Sequence, residues 1–232
     1  MADAASLGPI HFPRPRVVLG LAGAVATAFL LLPPHSVQGK LNLLGYGICH
    51  QDPNRSFSVG GRQLPICARD TGTYLGSVAT LAVVLFRKER RAAGLPSPVV
   101  LTALAVGFAF FAVDGLNSYA SALPWLPQLY TPDNRLRLLS GMGCGAGLAA
   151  VLMPLFNYTV WREPGRGRVL GDRSLAAVLA ALLGVYAAVV WAPAWLYYPL
   201  ALLSGFGIVL ILSTVNGLLA VALANFQASH SR

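Results

Sequence analysis

The sequence predicts an all-α integral membrane protein with about six transmembrane helices and an outward-facing loop rich in Cys, His and Arg. Hydrophobic residues make up 56% of the 232 residues and charged residues only 11%, whereas about a quarter of a soluble domain is charged. Several apolar runs are close to the ~20 residues that a helix needs to cross a bilayer. Short basic clusters separate these runs, which is typical of the cytoplasmic loops of membrane proteins.

The apolar runs are expected to form one polytopic membrane domain over residues 1–232. The first run ends at Pro33-Pro34 without a small-residue cleavage site, so we expect it to be retained as a span. The basic cluster that begins at Arg87 ends the second span, and arginines from Arg162 onward follow the fourth. The predicted spans are 17–32, 71–86, 99–113, 138–161, 174–190 and 199–226, with an outer polar loop over residues 33–70.

The distribution of charge predicts the topology. The formal net charge is +9, but there is no basic face with interleaved aromatic residues, so the lipid bilayer is the expected partner and nucleic acid is not. With both termini in the cytoplasm, 11 of the 17 Lys and Arg residues lie inside and six lie outside. This excess on the inside agrees with the positive-inside rule.

The outer loop holds the densest group of reactive side chains. Cys49, His50, Cys67 and Asp70 are all ligand types that zinc or another divalent metal uses. However, the separation of Cys49 from Cys67 is not a standard zinc spacing, and the outer side of the membrane is oxidising. From the spacing alone a Cys49–Cys67 disulfide is therefore favoured over a metal, and two free buried thiols are a third alternative. Gly60-Gly61 is a turn sequence and predicts a hairpin or compact loop between the cysteines.

Two further groups of polar residues lie near the predicted outer surface. Asp114 follows the third span, where an ionisable residue is a candidate catalytic base or further metal ligand. The alternative is an ion pair with one of the outer arginines. A second group offers a candidate site for an anionic substrate, since Arg contacts carboxylate or phosphate in a bidentate manner. Its alternative partners are lipid headgroups or four acidic residues of the chain, Asp52, Asp70, Asp114 and Asp133. The second group itself consists of Arg55, Arg69, Asn134 and Arg137.

The first half of the fourth span is rich in glycine. Gly141 and Gly145 have the Gly-x-x-x-Gly spacing, and so do Gly143 and Gly147. Small residues at this spacing let helices approach closely. We expect the span to pack on other helices, on partners in a membrane complex or on a second copy of the chain.

The polar motifs occur in a characteristic order. They are C-H-Q-x3-R-S-F from Cys49, L-P-I-C-A-R-D-T-G-x-Y-x-G from Leu64, D-G-L-N from Asp114 and N-R-L-R-L-L-S-G from Asn134. This order resembles a family of prokaryotic predicted membrane proteins catalogued as a domain of unknown function. The typical pattern of that family is CH…RSF…CxRCTGxYxG…DGxTQ…NxxRxxTG.

The resemblance implies which positions matter. The family usually has a second cysteine where this chain has Asp70, and the resulting Cys-x-x-Cys beside an upstream Cys-His is more typical of a metal site than of a lone disulfide. A carboxylate can also bind zinc. The metal site is therefore either kept, with the Asp70 carboxylate in place of one thiolate, or lost. By resemblance the positions of interest are Cys49, His50, Arg55, Ser56, Phe57, Cys67, Arg69, Gly72, Tyr74, Gly76, Asp114, Gly115, Asn134, Arg137 and Gly141.

The sequence and the resemblance together support three functional hypotheses. The first is a membrane protein with a metal-binding polar site at the extracytoplasmic face that acts on a small anionic or lipid-linked substrate. The second is a proton- or ion-coupled transporter that uses Asp114, and the third is a structural or accessory subunit of a larger membrane complex. Whether the protein is an enzyme stays open. The expected location is the cytoplasmic (inner) membrane of a prokaryote, as a multi-pass protein.

Overall fold

The computed structural model describes residues 15–87, 90–123 and 125–230. The predicted cytoplasmic positions at residues 1–14, 88–89 and 231–232 lie outside this description. The described part of the chain is mostly α-helical. Its helices are α1 (Pro15–Leu31), α2 (Val37–Tyr46), α3 (Ala68–Leu85), α4 (Pro98–Ala120), α5 (Asn134–Val160), α6 (Asp172–Val190) and α7 (Tyr197–His230).

Four of the helical segments among the described residues are long and apolar enough to cross a membrane. Three of them are α4, α5 and α6, and the fourth covers Ala194–Ala224, which is most of α7 with the short 3-10 turn before it. The predicted all-α membrane class is therefore supported. The remaining two predicted spans correspond to α1, with 17 residues, and to α3, with 18 residues.

Helix α3 lies at the centre of the bundle, where it packs against α5, α6 and α7. The glycines of α5 allow the closest of these approaches. A Cβ added at Gly141 would lie 2.9 Å from the carbonyl carbon of Arg69, and one at Gly145 would lie 2.9 Å from the backbone nitrogen of Ser77. The Ser77 hydroxyl donates to the carbonyl of Gly145 across this contact, at 2.9 Å. The α3–α5 pair is thus held at backbone-to-backbone distance.

The other glycine pair of α5 faces α4. A Cβ at Gly143 would lie 3.0 Å from the Cα of Gly107, and one at Gly147 would overlap the ring of Phe108. Both glycine faces are therefore used within the chain. These glycines pack on α3 and α4 of the same chain, and contact of the span with partner proteins or a second copy stays a prediction.

The helices alternate in direction, so each end of the bundle gathers a different set of helix ends and loops. At one end, called the site end, α3, α5 and α7 begin and α4 and α6 finish, and the loop that contains Cys49 lies there. At the other, called the basic end, a small parallel sheet pairs β3 (Ala92–Gly94) with β4 (Gly165–Arg168). An antiparallel hairpin of β1 (Ser58–Val59) and β2 (Arg62–Gln63) forms part of the site end.

Two helices extend beyond the spans predicted for them, each past a charged residue. The third predicted span stopped before Asp114, whereas α4 continues to Ala120. The fourth was predicted to start at Leu138, whereas α5 starts at Asn134 and includes Arg137. In both cases a charged residue was taken as the end of a span. Here these residues are buried within the bundle instead.

Candidate metal centre

The loop around Cys49 is built on the end of α2. The backbone N–H of Cys49 donates to the carbonyl of Gly45 at 2.9 Å. Gln51 follows in a left-handed conformation, with φ of 54°, which is uncommon for a residue other than glycine. Its side-chain amide donates to the carbonyls of Asn42 and Pro65, both at 2.7 Å. Gln51 therefore ties the Cys49 loop to the segment that leads into Cys67.

The hairpin between the cysteines brings them back together. Gly60 and Gly61 have φ of 59° and 75°, the two positive φ angles of a tight hairpin turn. The predicted turn at these glycines is confirmed. The chain then reaches Cys67, the N-cap residue of α3, whose backbone N–H donates to the Cys49 sulfur at 3.2 Å.

Cys49, Cys67 and Asp70 form a group of candidate metal ligands. Their ligand atoms all lie within 4.8 Å of one another. Asp70 belongs to the first turn of α3, so its carboxylate points back toward the N-cap, and the Cys67 thiol donates to it at 3.0 Å. No other group of three such ligands occurs in the part of the chain that the structure describes.

His50 lies outside this group. It is exposed and lines a surface cavity of about 320 Å³ together with Cys49 and the end of α2. Its imidazole is not among the ligand atoms that converge with the Cys49 sulfur. Cys49, Cys67 and Cys144 are all present as free cysteines.

The three converging ligands fit a zinc-type ion. In a tetrahedral site with Zn–S of about 2.3 Å and Zn–O of about 2.1 Å, ligand atoms are roughly 3.3–3.8 Å apart. The observed group needs a contraction of only about 1 Å to meet that geometry. Two sulfurs and one carboxylate oxygen are a suitable donor set for zinc.

The two thiols of the group differ in acidity. The pKa of Cys49 is lowered to about 7, chiefly because a hydrogen bond from the Cys67 thiol favours its thiolate, and backbone N–H groups of Gln51 and Cys67 add to this effect. The pKa of Cys67 is raised, mainly by the same interaction and by burial. The thiol proton of Cys67 thus lies between two hydrogen-bond acceptors, the Cys49 sulfur and the Asp70 carboxylate.

This asymmetry predicts the alkylation behaviour of the metal-free protein. Cys49 is expected to react with iodoacetamide with a midpoint near pH 7, because the thiolate is the nucleophile and is present above its pKa. In a Cys67→Ala variant the midpoint should rise toward the ordinary cysteine value of about 8.5. Peptide mass spectrometry of protein alkylated at a series of pH values measures both midpoints. A wild-type midpoint of 8.5 or above would contradict the arrangement of the two thiols.

Asp114 lies at the bottom of the site and is fully buried, with 0% exposure. Arg69 forms an ion pair with its carboxylate, donating from Nη2 at 2.5 Å and from Nε at 3.1 Å. The hydroxyls of Tyr130 and Ser140 also donate to it, at 2.8 and 3.0 Å. This geometry matches the alternative interpretation of Asp114, an ion pair with one of the outer arginines. Its carboxylate is not among the candidate metal ligands.

Tyr130 acts here as a hydrogen-bond donor. Burial raises its pKa to about 12, and its bond to Asp114 contributes to the same shift. Its backbone is held by Asn117, whose side-chain amide donates to the Tyr130 carbonyl at 2.9 Å. The loop after α4 thereby closes over Asp114.

Arg137 is the buried arginine that lacks a carboxylate partner. It is 8% exposed, and its guanidinium donates to Asn134 at 2.9 Å and to Ser118 at 3.5 Å. The ion pairs of the described residues are Arg69–Asp114 and Arg55–Asp52, so none of them neutralises Arg137. Arg55 and Arg69 are both close enough to repel it electrostatically. Asn134 also donates to the carbonyls of Asn54 and Ser56, which ties α5 to the loop.

The site lies within the part of the chain that matches known proteins. The family model described as "Predicted membrane protein (DUF2085)" matches residues 49–151. An uncharacterized protein of Methanothermobacter thermautotrophicus is 31% identical over 104 residues, which are 45% of this chain and 83% of that protein. The chain belongs to this family of predicted membrane proteins. An uncharacterized protein of Methanocaldococcus jannaschii is 28% identical over 116 residues, or 50% of this chain and 68% of that protein.

The region that the family model matches includes the candidate metal centre and the helices next to it. It begins at Cys49 and runs through α3 and α4 into α5, so it contains every site residue predicted from the sequence. No solved structure matches the chain. The family resemblance inferred from the motifs is thus confirmed.

Several residues of the site were not predicted from the sequence. Ser118, Ser140 and Tyr130 bond to the charged residues, and Gln51 holds the loop. A helical spacing rule could have found the first two. Ser118 is four residues after Asp114, and Ser140 is three residues after Arg137, so each shares a helix face with a charged residue.

Proposed function

We propose that this membrane protein holds a divalent metal ion, with zinc the best match, on Cys49, Cys67 and Asp70 at its extracytoplasmic face. The observation that carries the proposal is the convergence of three ligand atoms from two separate segments. His50 is left out of the ligand set because its side chain is exposed beside the group. Asp70 takes the place of the usual family cysteine.

A set of three protein ligands is typical of a catalytic rather than a structural zinc site, because it leaves one position open. When bound at such a site, zinc supplies Lewis-acid chemistry. A surface cavity of about 320 Å³, lined in part by Cys49 and His50, opens on the Cys49 side of the group. The exposed imidazole of His50 lines the same cavity.

The proposed substrate is a small anionic or lipid-linked molecule that binds at Arg137. A buried guanidinium without a carboxylate partner is costly, and an anion would offset that cost. Arg137 and Arg69 both donate to the Ser118 hydroxyl, and Arg69 directly precedes Asp70 in α3, which supports a single site shared by the metal and the anion. Arg55 lies near Arg137 and offers further donors, whereas both N–H groups of the Asn134 amide already donate to the carbonyls of Asn54 and Ser56.

In this proposal Asp114 is a positioning residue. Both of its oxygens accept hydrogen bonds, from Arg69, Tyr130 and Ser140. Because both oxygens are already bonded, Asp114 is poorly suited to act as a base or to carry protons or ions. The transport hypothesis loses its main candidate residue for that reason. An accessory role in a larger complex differs from the proposal in requiring neither metal nor anion.

The proposed arrangement in the membrane has six spans and both termini in the cytoplasm of a prokaryotic cell. Helix α3 counts as a span although it carries many polar residues, because its neighbours α5, α6 and α7 shield it from lipid. With 18 residues it is about 27 Å long, close to the ~30 Å hydrocarbon thickness.

The ligand assignment predicts how zinc affinity responds to substitution. Cys49→Ser and Cys67→Ser are each expected to weaken zinc binding at least a hundredfold, because even partners of ligands contribute about ten- to a hundredfold. His50→Ala is the control and should leave the affinity unchanged. Asp70→Cys, which supplies a thiolate, should bind zinc at least as tightly as the wild type. Competition titration against a chromogenic chelator measures all four, and equal losses in His50→Ala and Cys67→Ser would overturn the ligand set.

The proposed anion site at Arg137 predicts how phosphate affinity responds to substitution. Arg137→Gln is expected to weaken binding of inorganic phosphate to zinc-loaded protein by about ten- to a hundredfold, since a charge-assisted hydrogen bond contributes about 1.5–3 kcal/mol. Arg135→Gln is the matched control, because Arg135 is an exposed residue of the same helical turn. Isothermal titration calorimetry in detergent measures both affinities. A similar loss in both variants would indicate general surface charge and contradict the pocket.

A further inference from the structure

We infer that the basic end carries a second, independent binding site, for the phosphate headgroup of an anionic phospholipid. The site is a cavity of about 300 Å³ between the end of α3 and the end of α5. Its lining includes two arginines, Arg90 and Arg91, and the indole of Trp161. It lies at the far end of the helices from the candidate metal centre.

The walls of the cavity are fixed by one buried side chain. Asn157 is 1% exposed, and its amide nitrogen donates to the carbonyls of Arg90 and Ala92, at 3.0 and 2.8 Å. Its amide oxygen accepts from the indole N–H of Trp161 at 3.1 Å. Asn157 therefore joins the arginine-bearing segment to the end of α5. Both the nitrogen and the oxygen of the Asn157 amide are hydrogen-bonded, which fixes this wall of the cavity.

The charge of the cavity suits an anion. The Arg91 guanidinium lies over the Trp161 ring, 4.2 Å from its centroid, a cation–π arrangement that orients its N–H groups. Neither Arg90 nor Arg91 forms an ion pair with a carboxylate of the described residues, and Glu89 lies outside them. The two connections at this end, residues 86–97 and 161–173, carry eight Lys and Arg residues against three Asp and Glu.

The remaining side chains that line the cavity, apart from Asn157, are apolar and continue onto the exposed outer surface of the helices. Leu85 and Phe156 line the cavity and are 53% and 38% exposed. A ligand that places a phosphate on the arginines would thus have acyl chains against these side chains. Basic pockets between membrane helices on the cytoplasmic side recognise anionic lipid headgroups in this way. A free phosphate would satisfy only the arginines, so a lipid fits the cavity better.

The test uses the full-length protein in detergent with phosphatidylglycerol or phosphatidylcholine at equal concentration, and native mass spectrometry counts the bound lipid. Arg90→Gln combined with Arg91→Gln is expected to reduce the preference for phosphatidylglycerol about thirtyfold, since each of the two basic residues near a lipid phosphate contributes about 1 kcal/mol and about 1.4 kcal/mol is a tenfold change. Arg166→Gln combined with Arg168→Gln is the control, because it removes equal charge from exposed β4. This control should keep the preference.

A second measurement does not depend on the folding of a variant. Phosphatidylglycerol, but not phosphatidylcholine, should protect Arg90 and Arg91 of the wild-type protein from phenylglyoxal, as read by peptide mass spectrometry. Inorganic phosphate at the same concentration should not displace the lipid. The inference is overturned if both double variants lose the preference equally, if the two arginines are not protected, or if inorganic phosphate replaces the lipid. Because no ligand of the metal centre is changed, these outcomes are independent of the proposed zinc site.

Discussion

Replacing Asp114 with alanine is expected to lower the free energy of unfolding by about 3–5 kcal/mol, the cost of breaking a buried ion pair. The carboxylate is fully buried and accepts hydrogen bonds from Arg69, Tyr130 and Ser140. Its removal leaves the Arg69 guanidinium without a counter-ion next to Arg137. The repulsion between the two arginines is then no longer offset. Unfolding of the detergent-solubilised protein by SDS titration, followed by circular dichroism, measures this loss.

The matched control is Asp52→Ala. Asp52 also pairs with an arginine, Arg55, at 3.3 Å, but the two side chains are 39% and 47% exposed. Exposed pairs contribute about 0–1 kcal/mol, so this variant should unfold close to the wild type. Equal effects of the two substitutions would contradict the assignment of Asp114 as the residue that holds Arg69 in place.

Replacing Gly141 with alanine is expected to destabilise the protein by about 1–3 kcal/mol or more, the usual cost of overpacking. The added methyl group would meet the backbone of Arg69 and Thr73 on α3, and a backbone cannot move aside as a side chain can. The variant should also disturb the candidate metal centre, because α3 carries Arg69 and Asp70 in the same turn. Weaker zinc binding should therefore accompany the lower stability.

Gly184→Ala in α6 is the control for this substitution. No atom lies within 4 Å of a Cβ added there, so the only effect is the higher helix propensity of alanine, which is about 1 kcal/mol favourable. The same SDS titration should give an unfolding transition at or above that of the wild type. If Gly141→Ala were as stable as Gly184→Ala, the close packing of α3 on α5 would be wrong.

The sequence was sufficient for the membrane class and for the positions of most helices, since long apolar runs leave few alternatives. It was not sufficient for the ends of α4 and α5. A hydropathy pattern treats Asp114 and Arg137 as the limits of a span because each charge is costly in lipid. In the fold these residues face the bundle interior, where Arg69 neutralises Asp114. Such compensation depends on which helices are neighbours, and a single sequence does not specify that.

Four residues were grouped from the sequence as candidate metal ligands, and three of them lie close together in the fold. Cys49, Cys67 and Asp70 converge, because the hairpin at Gly60-Gly61 returns the chain and Asp70 lies one helical turn after Cys67. His50 is adjacent to Cys49 in sequence and yet faces the surface cavity. The direction of a side chain in an irregular loop depends on local backbone angles, such as the positive φ of Gln51, which no periodic pattern reveals.

Metal content tests the central proposal most directly. Protein purified in detergent without chelators should contain about one zinc-class ion per chain by elemental mass spectrometry, and a Cys67→Ser variant purified in parallel should contain none. A thiol count on the same wild-type sample should show Cys49 and Cys67 reduced and protected until a chelator is added. The contradicting result is protein without metal in which Cys49 and Cys67 are joined as a disulfide.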